Sequence, residues 1–256
     1  MRLGLVTYNL ARSWDVETTI RTCQDTGFEG VELRTTHAHG VEVELGAGQR
    51  AEVRTRFAGS GVALVGLGSA FEFDSPDPAE LRRNVEGTKA YVQLAQDVGA
   101  GGVKVRPNRL HEAEGVPRAR TLEQIGLALR ECGAFAQDCG VEIRLEVHGR
   151  DTADPANIRA ILDHADHPNV HACWNSNPGE VIDGSIDAGF ALLRGRIRLV
   201  HINELCTAYP WRRLFALLRH SGYAGFTLAE VPESPEPVRF MHYYRALWLA
   251  LQHPEG

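Results

Sequence analysis

The chain has 256 residues, enough for a large core yet within the usual size of one α/β barrel, so a single domain over residues 1–256 is expected. With 43% hydrophobic and 23% charged residues, and with 26 Gly and 12 Pro, the composition argues against disorder. A formal net charge of −6, no run near the ~18 apolar residues of a membrane span, and five cysteines without CxxC spacing argue against nucleic-acid and membrane partners and for a cytoplasmic protein with reduced thiols.

Eight β-rich runs follow in chain order: Leu3–Tyr8, Gly30–Arg34, Val62–Leu67, Gly102–Arg106, Val141–His148, Val170–Asn175, Ile197–Asn203 and Phe226–Val231. The segments between them are long enough for a helix each. Asp77-Pro78-Ala79-Glu80 combines an N-cap, a proline at the first helical position and a capping-box glutamate. Asp154-Pro155 and Ser234-Pro235 repeat the first two features, and Thr121 with Gln124 makes another capping box. Gly27, Gly61, Gly99, Gly140, Gly195 and Gly222 each fall just before a strand, where a helix ends on a left-handed residue. Such alternation implies a parallel sheet, and eight units of this size suit a single (β/α)8 TIM barrel of the α/β class. An open doubly wound sheet would carry a Gly-rich phosphate loop after its first strand, whereas Thr7–Ser13 contains no glycine.

Period-two alternation in the fifth strand separates Val141, Ile143, Leu145 and Val147 from Glu142, Arg144, Glu146 and His148. Helices cover a barrel's outer face, so the ionic side points inward; Glu32 and Arg34, and Lys104 and Arg106, repeat the pattern. Residues deep in the barrel serve stability, which makes Glu142 and Arg144 a structural pair and places Lys104 with them. At the C-terminal ends of strands five to eight stand Glu146, Asn175, His201 and Glu230. Two carboxylates, an imidazole and an amide oxygen suit one divalent cation, Mn²⁺, Mg²⁺, Co²⁺ or Zn²⁺; they equally suit a hydrogen-bonded ionic network.

With these residues in this order, the whole chain resembles the xylose isomerase-like sugar phosphate isomerase/epimerase superfamily, which includes ketose 3-epimerases, hydroxypyruvate isomerase and inosose dehydratase. Its members typically place Glu, Asp, His and Glu on strands five to eight as ligands to one divalent metal. The resemblance therefore implies metal ligation by Glu146, Asn175, His201 and Glu230, and a small sugar-like substrate. Asn175 stands where the family has aspartate, which implies a weaker hold on the ion, and Asn177 and Pro178 occupy the stretch where the epimerases carry a histidine.

The implied reaction is isomerisation or epimerisation of a sugar, sugar phosphate or hydroxy-carbonyl compound through an enediolate, with Glu146 and Glu230, each using its second oxygen, as acid and base. A metal-dependent lyase or dehydratase on an oxidised sugar or cyclitol shares these groups. A metal-free sugar-binding barrel is the third reading, since Asn175 replaces a carboxylate. A multi-zinc phosphodiesterase would need a richer His/Asp/Glu cluster and a basic surface. His148, Arg106 and Asn108 sit where they can contact substrate, with Arg106 suited to a carboxylate or phosphate; Glu32, Arg34, His37 and His39 follow the second strand, and Asn177 follows a ligand position. His111 and His171 lack convergent partners, and Met241–Trp248 has the spacing of a barrel-packing helix. Homo-oligomers are common in the resembling family.

Overall fold

The computed structural model describes residues 1–253. Strands and helices alternate as β1 (Arg2–Val6), α1 (Val16–Thr26), β2 (Gly30–Arg34), α2 (Ala47–Ser60), β3 (Ala63–Glu72), α3 (Pro78–Val98), β4 (Gly102–Arg106) and α4 (Arg118–Asp138). They continue as β5 (Glu142–Glu146), α5 (Pro155–Ala165), β6 (Val170–Asn175), α6 (Asp187–Leu193), β7 (Ile197–Ile202), α7 (Trp211–His220), β8 (Phe226–Ala229) and α8 (Pro237–Gln252). Each strand pairs in parallel with the next, and β8 closes on β1 with Arg2 opposite Phe226, giving a (β/α)8 barrel.

Local chemistry explains most boundaries. Asp77 and Asp154 accept the backbone N–H of Ala79 and Ala156, with Pro78 and Pro155 at the first helical positions. α1, α2 and α3 end on left-handed Gly27, Gly61 and Gly99, and Gly140 and Gly222 also have positive φ. Gly195 does not: α6 closes on right-handed Arg194. Two expected starts also move. α4 begins at Arg118, so Thr121 and Gln124 lie inside it, and the Gln124 amide instead donates to the carbonyls of Phe73 and Ser75. α8 begins at Pro237 rather than Pro235. β3 runs five residues beyond its apolar stretch, to Glu72, because Glu72 pairs across to Arg106 at the end of β4.

The core has two compartments. Val31, Leu33, Val103, Val105, Ile143 and Leu145 join the large cluster between strands and helices. Inside the barrel, Val6, Val65, Cys173, Leu199 and Leu228 form a separate buried cluster; the last three lie two residues before Asn175, His201 and Glu230, and so share their inward face. Arg144 donates to Glu142 and to the Val65 carbonyl, in space that Gly66, Gly101 and Gly102 leave open. Met241, Tyr244 and Trp248 are buried along α8, and the Trp248 indole N–H donates to Thr227, so this helix packs on the barrel. Among the described residues no helix is long and apolar enough to cross a membrane.

Gly4 sits opposite Gly30 in the β1–β2 register, and a Cβ at Gly4 would lie 2.6 Å from the Gly30 carbonyl oxygen and 2.4 Å from Leu228 Cδ2. Gly4→Ala is expected to cost about 1–3 kcal/mol through overpacking. Chemical denaturation checks this; an unchanged midpoint would mean that the two strands separate freely.

Candidate metal centre

The pleat brings the C-terminal ends of β5 to β8 to one point. Glu146 ends β5, Asn175 ends β6 opposite His201 of β7, and Glu230 directly follows β8. The His201 Nδ1 lies 3.5 Å from Glu146 Oε1 and 3.6 Å from Glu230 Oε2. Ligand atoms of these three residues all lie within 4.8 Å of one another. Asn175 Nδ2 donates to Glu146 Oε1 at 3.1 Å.

Five polar atoms around this point lack hydrogen-bond partners although buried: both ring nitrogens of His201, both carboxylate oxygens of Glu32 and Asn175 Oδ1. Buried polar groups are nearly always satisfied, and two of these orphans, His201 Nδ1 and Asn175 Oδ1, lie beside Glu146 and Glu230, which is the mark of a site built for something further. The donor set fits a divalent ion, and the Glu146/His201/Glu230 triad can hold one. His201 turns its other nitrogen, Nε2, toward Glu32 Oε1 at 3.4 Å, an ion-pair distance without a hydrogen bond, so a carboxylate stands behind the imidazole.

Lys104 changes the charge balance. It is buried, and its ammonium donates to Glu146 Oε2 at 2.7 Å, so it belongs to the site and not to a deeper structural layer. Its charge also means that the second oxygen of Glu146 is taken. Burial alone would raise the Glu146 carboxyl pKa, but Lys104 and His201 outweigh it and hold it well below the usual range. Burial likewise works against the charge on Lys104, yet Glu146, Glu32 and Glu230 raise its pKa. Glu230 has no side-chain hydrogen bond among the described residues.

Above the triad opens a cavity of about 330 Å³ lined by Tyr8, Arg34, Lys104, Arg106, His148 and Asn203, together with Glu146, Asn175, Asn177 and Glu230. His148 Nδ1 is buried without a partner, and burial lowers the imidazole pKa against the pull of Glu146, leaving a neutral ring. Arg106 is paired with Glu72 at 2.6 Å. Three expected contacts stand elsewhere. Glu32 is 1% exposed and sits behind His201, out of the cavity's reach. Asn108 turns to Glu72 Oε2, and His37 to Thr7 Oγ1. His39 turns to the backbone, contacting the Arg34 carbonyl with Nε2 and accepting the Val41 N–H with Nδ1. His111, expected to lack partners, is buried against Asp74 at 3.0 Å, and His171 lies 3.9 Å from Glu142.

Behind the cavity wall, Asn177 donates to the Val147 carbonyl and to Glu180 Oε1, and Tyr209 donates to Glu180 Oε2. Burial pushes the Glu180 carboxyl up to about 8 from its usual 4.5. The folded chain thus keeps a proton that the unfolded chain releases, and stability from this group, full below pH 4.5, is lost as pH rises through about 8. Glu180→Gln is expected to flatten that slope and to gain on the order of 3 kcal/mol over the parent at pH 8. Urea denaturation at pH 5 and pH 8 tests it; parallel slopes in parent and variant would refute it.

The profile of the family described as xylose isomerase-like TIM barrel matches residues 20–244. No curated protein matches the chain in sequence. Among solved structures, D-psicose 3-epimerase from Clostridium cellulolyticum H10, crystallised with D-tagatose, superposes with a TM-score of 0.83 at 15% identity, covering 99% of this chain and 100% of its own. The IolI protein with a bound zinc atom gives 0.77 at 14% identity, covering 98% and 96%. The probable 3-DHS dehydratase AsbF of Bacillus anthracis gives 0.72 at 15% identity, covering 100% of both chains.

Proposed function

The chain belongs to the xylose isomerase-like TIM-barrel family, and from that premise we propose that it is a metal-dependent isomerase or epimerase of a sugar-like hydroxy-carbonyl compound. The observation that carries this reading is the convergence of Glu146, His201 and Glu230 at the floor of a polar cavity, with the buried Asn175 Oδ1 and His201 Nδ1 unsatisfied beside them. Glu146, Asn175, His201 and Glu230 would hold the ion. When bound, a divalent cation supplies Lewis-acid polarisation of a carbonyl.

The rest falls to the chain's own groups. Glu230, with no side-chain hydrogen bond among the described residues, takes the proton from the carbon next to the carbonyl, leaving an enediolate. Glu146, kept ionised by Lys104, holds the Lys104 ammonium toward that anion, and the ammonium returns a proton from the other side and regains one from solvent as Glu230 releases its own. His148, a neutral imidazole at the wall, orients a substrate hydroxyl, and Asn177 stiffens the rim through its bonds to Val147 and Glu180. Proton return to the opposite face gives epimerisation and to the neighbouring carbon gives isomerisation; expulsion of a β-hydroxyl instead makes the protein a lyase.

The decisive assay incubates the metal-supplemented protein with keto-sugars and hydroxyketones in D₂O and follows deuterium entering the carbon next to the carbonyl by NMR. Incorporation supports the reading, whereas no exchange with any carbonyl compound that binds would overturn it. One feature favours a second reading, a metal-free sugar-binding barrel: the Lys104 ammonium already neutralises Glu146 without any ion.

A further inference from the structure

Three cationic side chains line the cavity, and two of them are matched: Lys104 by Glu146 at 2.7 Å and Arg106 by Glu72 at 2.6 Å. Arg34 has neither an ion pair nor a side-chain hydrogen bond among the described residues; its guanidinium stands 5.6 Å from the centroid of the Tyr8 ring, another residue of the same wall. The position is nonetheless rigid. The Arg34 backbone N–H donates to Thr7 Oγ1 at 2.9 Å, and its carbonyl contacts His39 Nε2 at 2.8 Å, so the end of β2 is fixed from both sides. The guanidinium is half-buried with its fork of N–H donors free of protein partners among the described residues, so it can take a bidentate anion without first giving up an ion pair.

We propose that the substrate carries an anionic group, a carboxylate or a phosphate, and that Arg34 binds it across the face of Tyr8. This rests on the metal-dependent reading above and names the substrate class for the same cavity. A sugar hydroxyl engages one N–H of the fork, whereas a carboxylate or phosphate takes two in parallel, and charge-assisted bonds of that kind are about twice as strong as neutral ones. The cavity, at about 330 Å³, suits a small polar molecule of this type. The triad marks the reacting end of the cavity, and Arg34 and Tyr8 mark where the charged end rests.

The test is calorimetric titration of the metal-supplemented protein with D-fructose, D-fructose 6-phosphate and 5-keto-D-gluconate, which present a neutral, a phosphate and a carboxylate ligand. At least one anionic probe is expected to bind about ten- to a hundredfold more tightly than fructose, and whichever one does identifies the anion. Arg34→Gln is expected to bring the anionic probe down to the affinity of fructose while leaving metal stoichiometry unchanged. Equal binding of all three probes by the parent protein, which needs no variant, overturns the proposal, as does an advantage that survives in Arg34→Gln. Metal stoichiometry on the same samples keeps the two failures apart: absence of the ion counts against the catalytic reading, and absence of anion preference counts against Arg34.

Discussion

Glu230→Gln is expected to lower substrate–solvent proton exchange by about 10²–10⁴-fold, the usual worth of a positioned acid or base. The substitution keeps the side chain's size and leaves the Lys104–Glu146 pair intact, so the fold should melt as the parent does. Glu146→Gln should lose as much exchange but also stability, because it leaves the Lys104 ammonium buried without its carboxylate. Comparing the two by NMR exchange rate and by thermal melting therefore separates chemistry from folding. A Glu230→Gln protein that exchanges at the parental rate would remove Glu230 from the proton path.

Lys104→Met carries the largest expected effect on stability, a loss of about 3–5 kcal/mol, since it strands the Glu146 charge in a buried site beside Glu32 and Glu230. Adding Glu146→Leu in the same chain should restore most of that loss, because apolar replacement of a buried pair is far less damaging than breaking it. Denaturant titrations of the two single variants and the double variant form the cycle. Additive losses would mean that the two residues act independently, against the 2.7 Å contact between them.

Both pairs show where the sequence speaks and where it falls silent. The pattern of β-rich runs is a local property, so it located β2, β4 and β6 at the bounds observed, and alternation within the fifth run put Glu142 and Arg144 on one face. It also ordered Glu146, Asn175, His201 and Glu230 onto four successive strand ends, because a barrel turns chain order into spatial order. What it could not supply was depth and reach. Lys104 is two residues short of its strand's end, and only its long side chain carries the ammonium up to Glu146. Glu32 has the right parity but sits one layer too low, under His201, and so supports the imidazole and does not meet the cavity. Glu72 was invisible because β3 reaches it through an irregular register between Gly68 and Glu72, which no alternation rule anticipates. The Ser234-Pro235 and Thr121/Gln124 signals show the same limit in helices: a capping sequence is competent wherever it occurs, but tertiary contacts such as Gln124 to the Phe73 carbonyl decide whether it is used.

Elemental mass spectrometry on the purified protein, supplied in turn with Mn²⁺, Mg²⁺, Co²⁺ and Zn²⁺ and then dialysed, tests the metal centre most directly. Roughly one divalent ion per chain is expected, retained in Arg34→Gln and weakened or lost in Glu230→Gln. A chain that retains none of the four ions would contradict the metal centre and leave Lys104, His201 and the three glutamates as a self-contained ionic network.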